Sequence, residues 1–414
     1  MRRTLGLLDF AKERKLPAPR HESIGSVIGT RGPLIIARLP LASIGDLCLI
    51  NTSHSNKLAA QVVAFDHSIV SLAPLEGLDG VFPGAQIRNT ARPLSLQIPT
   101  DPKGCVLDAC GQLMESFSEH KAPTSHLTLS IDAPPPSSLK RQPIREILPT
   151  GIRSIDSLLS IGIGQRLGLF APAGVGKSTL LGLIAKGAQV DLSVIALVGE
   201  RGREVRSFIH DVLGTEGINK AVIVVSTSDE SPTRRALAPK TATSIAEHFR
   251  SQGNNVLLLV DSLTRTARAL REIGLAQGEI PVRQGYTPSV YSELPKLLER
   301  SGCGERGSIT SIYSVLVEDD DEADPLAEEI KSLLDGHITL SRATARLGLQ
   351  PPIDIVESNS RLFNIFHDKD YQYKRGLICR LLARLKKDKE ILLLGGSPDP
   401  ELLVALKMEE SLKQ

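Results

Sequence analysis

The stretch Leu169-Phe170-Ala171-Pro172-Ala173-Gly174-Val175-Gly176-Lys177-Ser178-Thr179-Leu180 leaves this chain few ways to fold. An apolar run enters it, two glycines turn it, and Leu180-Leu181-Gly182-Leu183-Ile184 leaves it at helical texture. The pattern predicts a strand end, a tight loop and a helix start, with Ala171 in the first glycine position of the phosphate-binding loop motif. Gly174 and Gly176 lack Cβ atoms, so the backbone there can curl and aim several N–H groups at one anion. Lys177 adds a mobile positive charge for the outer phosphates, and Ser178 offers a hydroxyl to Mg²⁺. The helix beginning at this point adds its positive end. Residues 171–179 (Ala171, Pro172, Ala173, Gly174, Val175, Gly176, Lys177, Ser178 and Thr179) are therefore the predicted nucleotide-binding residues.

Beyond the loop, near-continuous apolar runs alternate with helical patterns. The runs are Ser193–Gly199, Ala221–Val225, Val256–Val260 and Ile309–Val317, with helices predicted at Arg203–Leu213 and Thr241–Arg250. Strands of this kind belong to a mainly parallel sheet covered on both faces, whose ligands sit at the carboxyl ends of the strands. Two carboxylates end such strands. Asp261 follows Val260 and is placed to hold the Mg²⁺ shell opposite the loop. Glu200 follows Gly199, on a strand read as neighbouring the loop's own strand, where it can polarise an attacking water or pair with Arg201 or Arg203. Charge building on a transferring phosphoryl group needs a cation, and Arg265, Arg342 and Arg361 are candidates that spacing does not separate.

The flanks differ in texture. Residues 1–20 read as a short polar arm or a helix ending at Pro17 and Pro19. From Gly25 to about Arg92, short apolar alternations such as Leu34–Ala37, Leu47–Ile50 and Ala60–Phe65, divided by Gly, Pro, Asn and Asp, predict a small β-barrel. Residues 92–150 are proline-rich, stiffest at Pro134-Pro135-Pro136, and read as an irregular surface connection. Gly151–Leu159 predicts a helix-like element before the loop strand. From about Phe363 the pattern becomes a basic amphipathic helix, Lys374 to Lys389, and a second helix after Asp399-Pro400. That basic face suits solvent, acidic lipid or a partner helix. The run Glu318-Asp319-Asp320-Asp321-Glu322-Ala323-Asp324 is read as a solvated loop rather than a metal site.

The 414 residues allow two or three domains, and a net charge of +2 gives no global push toward nucleic acid. Five scattered cysteines read as reduced thiols of a cytoplasmic protein, with zinc at Cys105 and Cys110 a weaker reading. No run approaches bilayer length, which implies a soluble chain with a peripheral membrane role left open.

Taken together the motifs resemble the type III secretion ATPases of flagellar export and injectisomes, relatives of the rotary ATP synthase alpha and beta subunits. The resemblance runs almost end to end. It includes Pro149–Asp156, Gly162–Arg166, Gly199-Glu200-Arg201-Gly202-Arg203-Glu204-Val205, Thr227–Pro232, Asp261–Arg265, Gly285–Val290, Glu293–Arg300 and Asp335–Arg342. It implies an α/β fold: a RecA-like P-loop ATPase core (residues 92–362) between an N-terminal arm and small β-barrel (1–91) and a C-terminal helical domain (363–414). It implies ATP and Mg²⁺, with Lys177 and Ser178 on phosphate and metal, Asp261 on metal, Glu200 activating water, and Arg265 near the phosphates. Arg361, in Ser358-Asn359-Ser360-Arg361, matches an arginine finger given to a neighbouring subunit, which implies a homohexamer. Implied partners are export chaperones, secreted proteins, and central stalk and stator proteins, at the inner face of the inner membrane, with no nucleic acid. The alternatives are a non-hydrolysing ring subunit, which Glu200 opposes, and an RNA-directed helicase, which the neutral charge opposes. Three positions depart from the family pattern: Gln350 stands where a tyrosine covers the adenine, Asn359 where a hydrophobic residue is usual, and Cys105 where arginine is usual.

Overall fold

The computed structural model describes residues 22–117, 125–317, 324–346, 348–393 and 397–413. The N-terminal arm and the acidic run Glu318–Glu322 lie outside the described residues. Contacts divide the chain into two compact units, Met1–Leu94 and Ser95–Gln414.

In the first unit six antiparallel strands close on themselves: β1 (Ser23–Arg31), β2 (Leu34–Arg38), β3 (Asp46–Asn51), β4 (Lys57–Asp66), β5 (Ile69–Pro74) and β6 (Gln86–Pro93), in the order β1-β2-β5-β4-β3-β6. Pairing of β6 with β1 removes the free edges that an open sheet would expose. Alternation does the sorting. Cys48 and Ile50 of β3 and Leu58, Ala60 and Val62 of β4 point inward with Ile35, Ala37, Val70 and Leu72. The turn at Gly80 needs its glycine, since φ is +77° and a Cβ there would lie 2.7 Å from the His54 ring.

The second unit begins with strands where an irregular connection was expected. β7 (Ser95–Pro99) pairs with β10 (His126–Ser130), and β8 (Cys105–Asp108) forms a hairpin with β9 (Leu113–Ser116). β8 also pairs in parallel with a core strand, so part of the supposed linker is buried sheet. Its four residues, preceded by Pro102 and Gly104 and followed by Gly111, are too short to show a period. Pro134–Pro136 does lie outside helix and strand.

The core strands are β11 (Arg166–Ala171), β12 (Leu192–Glu200), β13 (Ala221–Thr227), β14 (Asn255–Asp261), β15 (Gly302–Cys303), β16 (Ser308–Leu316), β17 (Gly336–Thr339) and β18 (Asn359–Ser360). The sheet runs β18-β17-β11-β16-β14-β12-β13-β8-β9, with β15 paired to β16. Its centre is parallel and buried on both faces, as the Val/Ile/Leu runs require. β12 is not next to the loop strand β11, because β16 and β14 lie between them. Uniform apolar strands carry no mark of their order, so the expected adjacency of Glu200's strand is corrected here.

The helices are α1 (Arg153–Leu158), α2 (Lys177–Gly187), α3 (Gly202–Ser207), α4 (Gly214–Asn219), α5 (Pro232–Ser251), α6 (Leu263–Gln277), α7 (Pro288–Glu299), α8 (Pro325–Leu333), α9 (Arg342–Arg346), α10 (Phe363–Phe366), α11 (Lys369–Leu393) and α12 (Pro400–Lys413). The single helix expected at Arg203–Leu213 is α3 running into a π-helical turn, Phe208–Leu213. That turn lies against the middle of the loop helix, where a Cβ on Gly182 would run into the Val212 side chain. The helix expected from Thr241 begins nine residues earlier. Ser231 Oγ accepts from Arg234 N at 3.2 Å and Pro232 fits the first turn, while Pro239 inside the helix masks its first half from a propensity reading.

Candidate functional site

The loop strand β11 ends at Ala171, and α2 starts at Lys177. Between them Val175 is buried and pins the loop, whereas Ala173 and Gly174 are exposed. Gly174 and Gly176 have φ of +79° and +93°, the left-handed region that favours glycine. A Cβ at either would meet nothing within 4 Å, so it is the backbone conformation and not crowding that calls for glycine there. Pro172 is buried, Ser178 is half-buried and Thr179 is exposed on the first turn.

Three charges from three separate strand–helix units converge here. Lys177 Nζ pairs with Asp261 Oδ1 and lies 3.8 Å from Glu200 Oε1. Asp261, at the end of β14, is 1% exposed and also accepts from Ser314 Oγ of β16 at 2.8 Å. Glu200, at the end of β12, is 9% exposed. Arg265 of α6 donates to Gly199 O and to Glu200 Oε2, the latter at 3.1 Å. Gly199 makes this approach possible: its φ is +66° and a Cβ would sit 2.9 Å from Arg265 Cδ. Burial and the nearby Asp261 carboxylate push Glu200 up to about 7 against the pull of Lys177 and Arg265, and a hydrogen bond with Glu204 adds to the rise. The same bond holds Glu204 below the usual carboxylate range. Sequence reasoning missed Ser314 and Glu204. Ser314 carries a weak signal, a polar residue inside an apolar strand, and Glu204 lies one helical turn past Glu200.

The three candidate arginines separate in space. Arg265 sits on Glu200. Arg342 opens α9 and, with Ala345, Arg346 and the loop residues Ala173, Gly174 and Val175, lines an open cleft of about 330 Å³. Arg361 is exposed, just past the edge strand β18, and its N–H donates to Asp335 O at 3.0 Å. Asp335 also bonds Arg166 N at 3.1 Å at the beginning of β11. Arg361 is therefore at the amino end of the parallel strands, and the length of β11, about 17 Å, separates that end from the loop of the same chain. It does not converge with Lys177, Glu200 and Asp261. Gln350 is exposed four residues beyond Arg346.

A phosphate-binding loop, a buried strand-end glutamate and a buried strand-end aspartate at the carboxyl edge of a parallel sheet define a nucleotide-binding protein of the P-loop class. The comparisons make this specific. The ATP synthase alpha/beta family matches twice, through its nucleotide-binding domain over residues 151–360 and its β-barrel domain over residues 27–91. The chain is 44% identical over 378 residues to the flagellum-specific ATP synthase of Bacillus subtilis (strain 168), covering 91% of this chain and 86% of that protein. It is 42% identical over 394 residues to the type 3 secretion system ATPase of Xanthomonas euvesicatoria, covering 94% and 88%. The assembled ATPase EscN of the enteropathogenic E. coli type III secretion system superposes with a TM-score of 0.85 at 42% identity, covering 93% of each chain. EscN in complex with its central stalk EscO gives 0.83 at 41% identity, covering 94% of each. This chain belongs to the ATP synthase alpha/beta family, among its type III secretion and flagellar export ATPases.

Proposed function

We propose that this protein hydrolyses ATP at the interfaces of a ring and thereby energises type III protein export, flagellar or injectisome. The observation that carries the reading is the convergence of Lys177, Glu200 and Asp261 beside the open loop. The triphosphate lies along residues 171–179, whose N–H groups, Pro172 having none, face its oxygens. Lys177 exchanges its carboxylate partners for the outer phosphates. The Ser178 hydroxyl and Asp261 form an all-oxygen donor set that fits Mg²⁺, which supplies counter-charge for the phosphate oxygens when bound. Glu200 accepts a proton from water as the water oxygen bonds to the γ-phosphorus and the bond from phosphorus to the ADP oxygen breaks. A carboxylate pushed to about 7 is suited to that exchange near neutral pH. Arg265 orients Glu200. Arg361, remote from its own loop, is presented to the nucleotide of a neighbouring subunit in a homohexamer, and Gln350 borders the base.

The partners follow the export role: a central stalk through the ring, stator proteins, and chaperone-bound secreted proteins that are released and unfolded. The protein works in the cytoplasm with peripheral contact at the inner membrane. Among the described residues no helix is long and apolar enough to cross a membrane. The test is Glu200→Gln. ATP binding is retained while turnover falls by about 10²–10⁴-fold, the usual contribution of a positioned base. Equal loss of binding and turnover would mark Glu200 as structural.

A further inference from the structure

Two cations of α11, Arg384 and Lys386, have carboxylate partners within the chain. Arg384 bonds Asp388 and Asp399, each at 2.6 Å, and Glu401 at 3.0 Å. The bonds to Asp399 and Glu401 and the small core of Leu381, Leu385, Leu402 and Ala405 join α11 and α12 into one hairpin with its own packing. Lys386 reaches the other way. Its Nζ donates to Asp354 Oδ2 at 3.2 Å and to Glu357 Oε1 at 3.1 Å. Asp354 is a turn-former: its Oδ1 accepts from Val356 N and Glu357 N, and its carbonyl from Ser358 Oγ at 2.5 Å. Ser358 Oγ in turn accepts from Thr339 N at 2.9 Å, and the next three residues are Asn359, Ser360 and Arg361.

The only chain connection from that turn to Arg361 is three residues long, and β18 is just two residues of edge strand. Its register therefore depends on how the turn is seated. We propose that Lys386 is a positioning residue for Arg361: through its paired bonds to Asp354 and Glu357 it sets the turn that aims Arg361, so that displacement of the α11–α12 hairpin changes turnover at the neighbouring subunit. This deepens the reading of Arg361 given above and rests on it. Lys386 touches no residue of its own loop, so nucleotide affinity at that chain's site is outside its reach.

Lys386→Met keeps the aliphatic stem and removes the charge, and the side chain is half exposed, so the fold is retained. Measured on the full chain at saturating protein, Lys386→Met lowers kcat about tenfold with KM for ATP unchanged, while Lys386→Arg, which keeps a donor for both carboxylates, stays within about twofold of wild type. In a double-mutant cycle, Lys386→Met adds no further loss to Arg361→Ala, because the first acts only through the second. Unchanged kcat in Lys386→Met, a loss that adds fully to that of Arg361→Ala, a rise in KM instead of a fall in kcat, or failure of Lys386→Arg to restore turnover would each overturn the proposal. Full turnover in Arg361→Ala alone removes the reading of Arg361 itself, a distinct result that ends both.

Discussion

At the scale of single residues, the site is held together by charge. Lys177 is 10% exposed and faces Asp261 at 2% and Glu200 at 12% by side chain. Removing one member of a buried ion pair leaves its partner uncompensated, at a cost of about 3–5 kcal/mol. Lys177→Ala is therefore expected to lose hydrolysis, to bind ATP about ten- to a hundredfold more weakly, and to melt earlier without nucleotide. Calorimetry and a binding titration check both effects, and normal turnover would remove the loop assignment. Glu200 gives a pH signature. Its folded value, about 7, is above the ordinary 4.5, so the protonated carboxyl is favoured by folding. That contribution is fully present below about 4.5 and is lost as pH rises through 7. Glu200→Gln mimics the protonated group at every pH. The Tm difference, variant minus wild type, is expected to be larger and more positive at pH 8 than at pH 5 in the absence of nucleotide. An equal difference at both pH values would contradict the assignment of that carboxyl.

At the scale of elements, legibility followed distance along the chain. The loop with its strand and helix was readable because every residue that shapes it lies within twelve positions. The barrel strands were readable from period-two alternation. The order of the core strands was not, since β11, β12, β14 and β16 are alike as apolar runs and only tertiary pairing ranks them. β8 was lost to its shortness, and the start of α5 was masked by Pro239. At the site, Glu200 and Asp261 were legible as strand-end carboxylates, but the bonds of Asp261 to Ser314 and of Glu200 to Arg265 join segments more than fifty residues apart and left little trace. One prediction at this scale rests on local geometry and a second on the family resemblance at Gln350. Gly199→Ala places a methyl against Arg265 on backbone of φ +66°, so it should lower stability by about 1 kcal/mol or more and cut turnover through Glu200, whereas ATP binding persists. Gln350→Tyr should tighten ATP by up to about tenfold and sharpen discrimination against GTP, because an aromatic ring stacked on a base contributes about 1–3 kcal/mol. Identical affinities in both proteins would place position 350 away from the base.

For the whole molecule, the arrangement of the sheet bears on assembly. Lys177, Glu200 and Asp261 gather at the carboxyl edge, while Arg361 stands at the opposite edge of the same sheet. One chain cannot bring both to one phosphate, so a site using both must be shared between copies. The most direct test mixes two impaired proteins, Arg361→Ala and Glu200→Gln, and measures ATPase rate across mixing ratios with mixed rings verified. Interfaces that pair an intact Glu200 with an intact Arg361 from the neighbour form only in the mixture. The account predicts turnover in the mixtures that neither parent shows, greatest near equal proportions. Mixed rings with no recovered turnover at any ratio would contradict a site completed by the adjacent subunit.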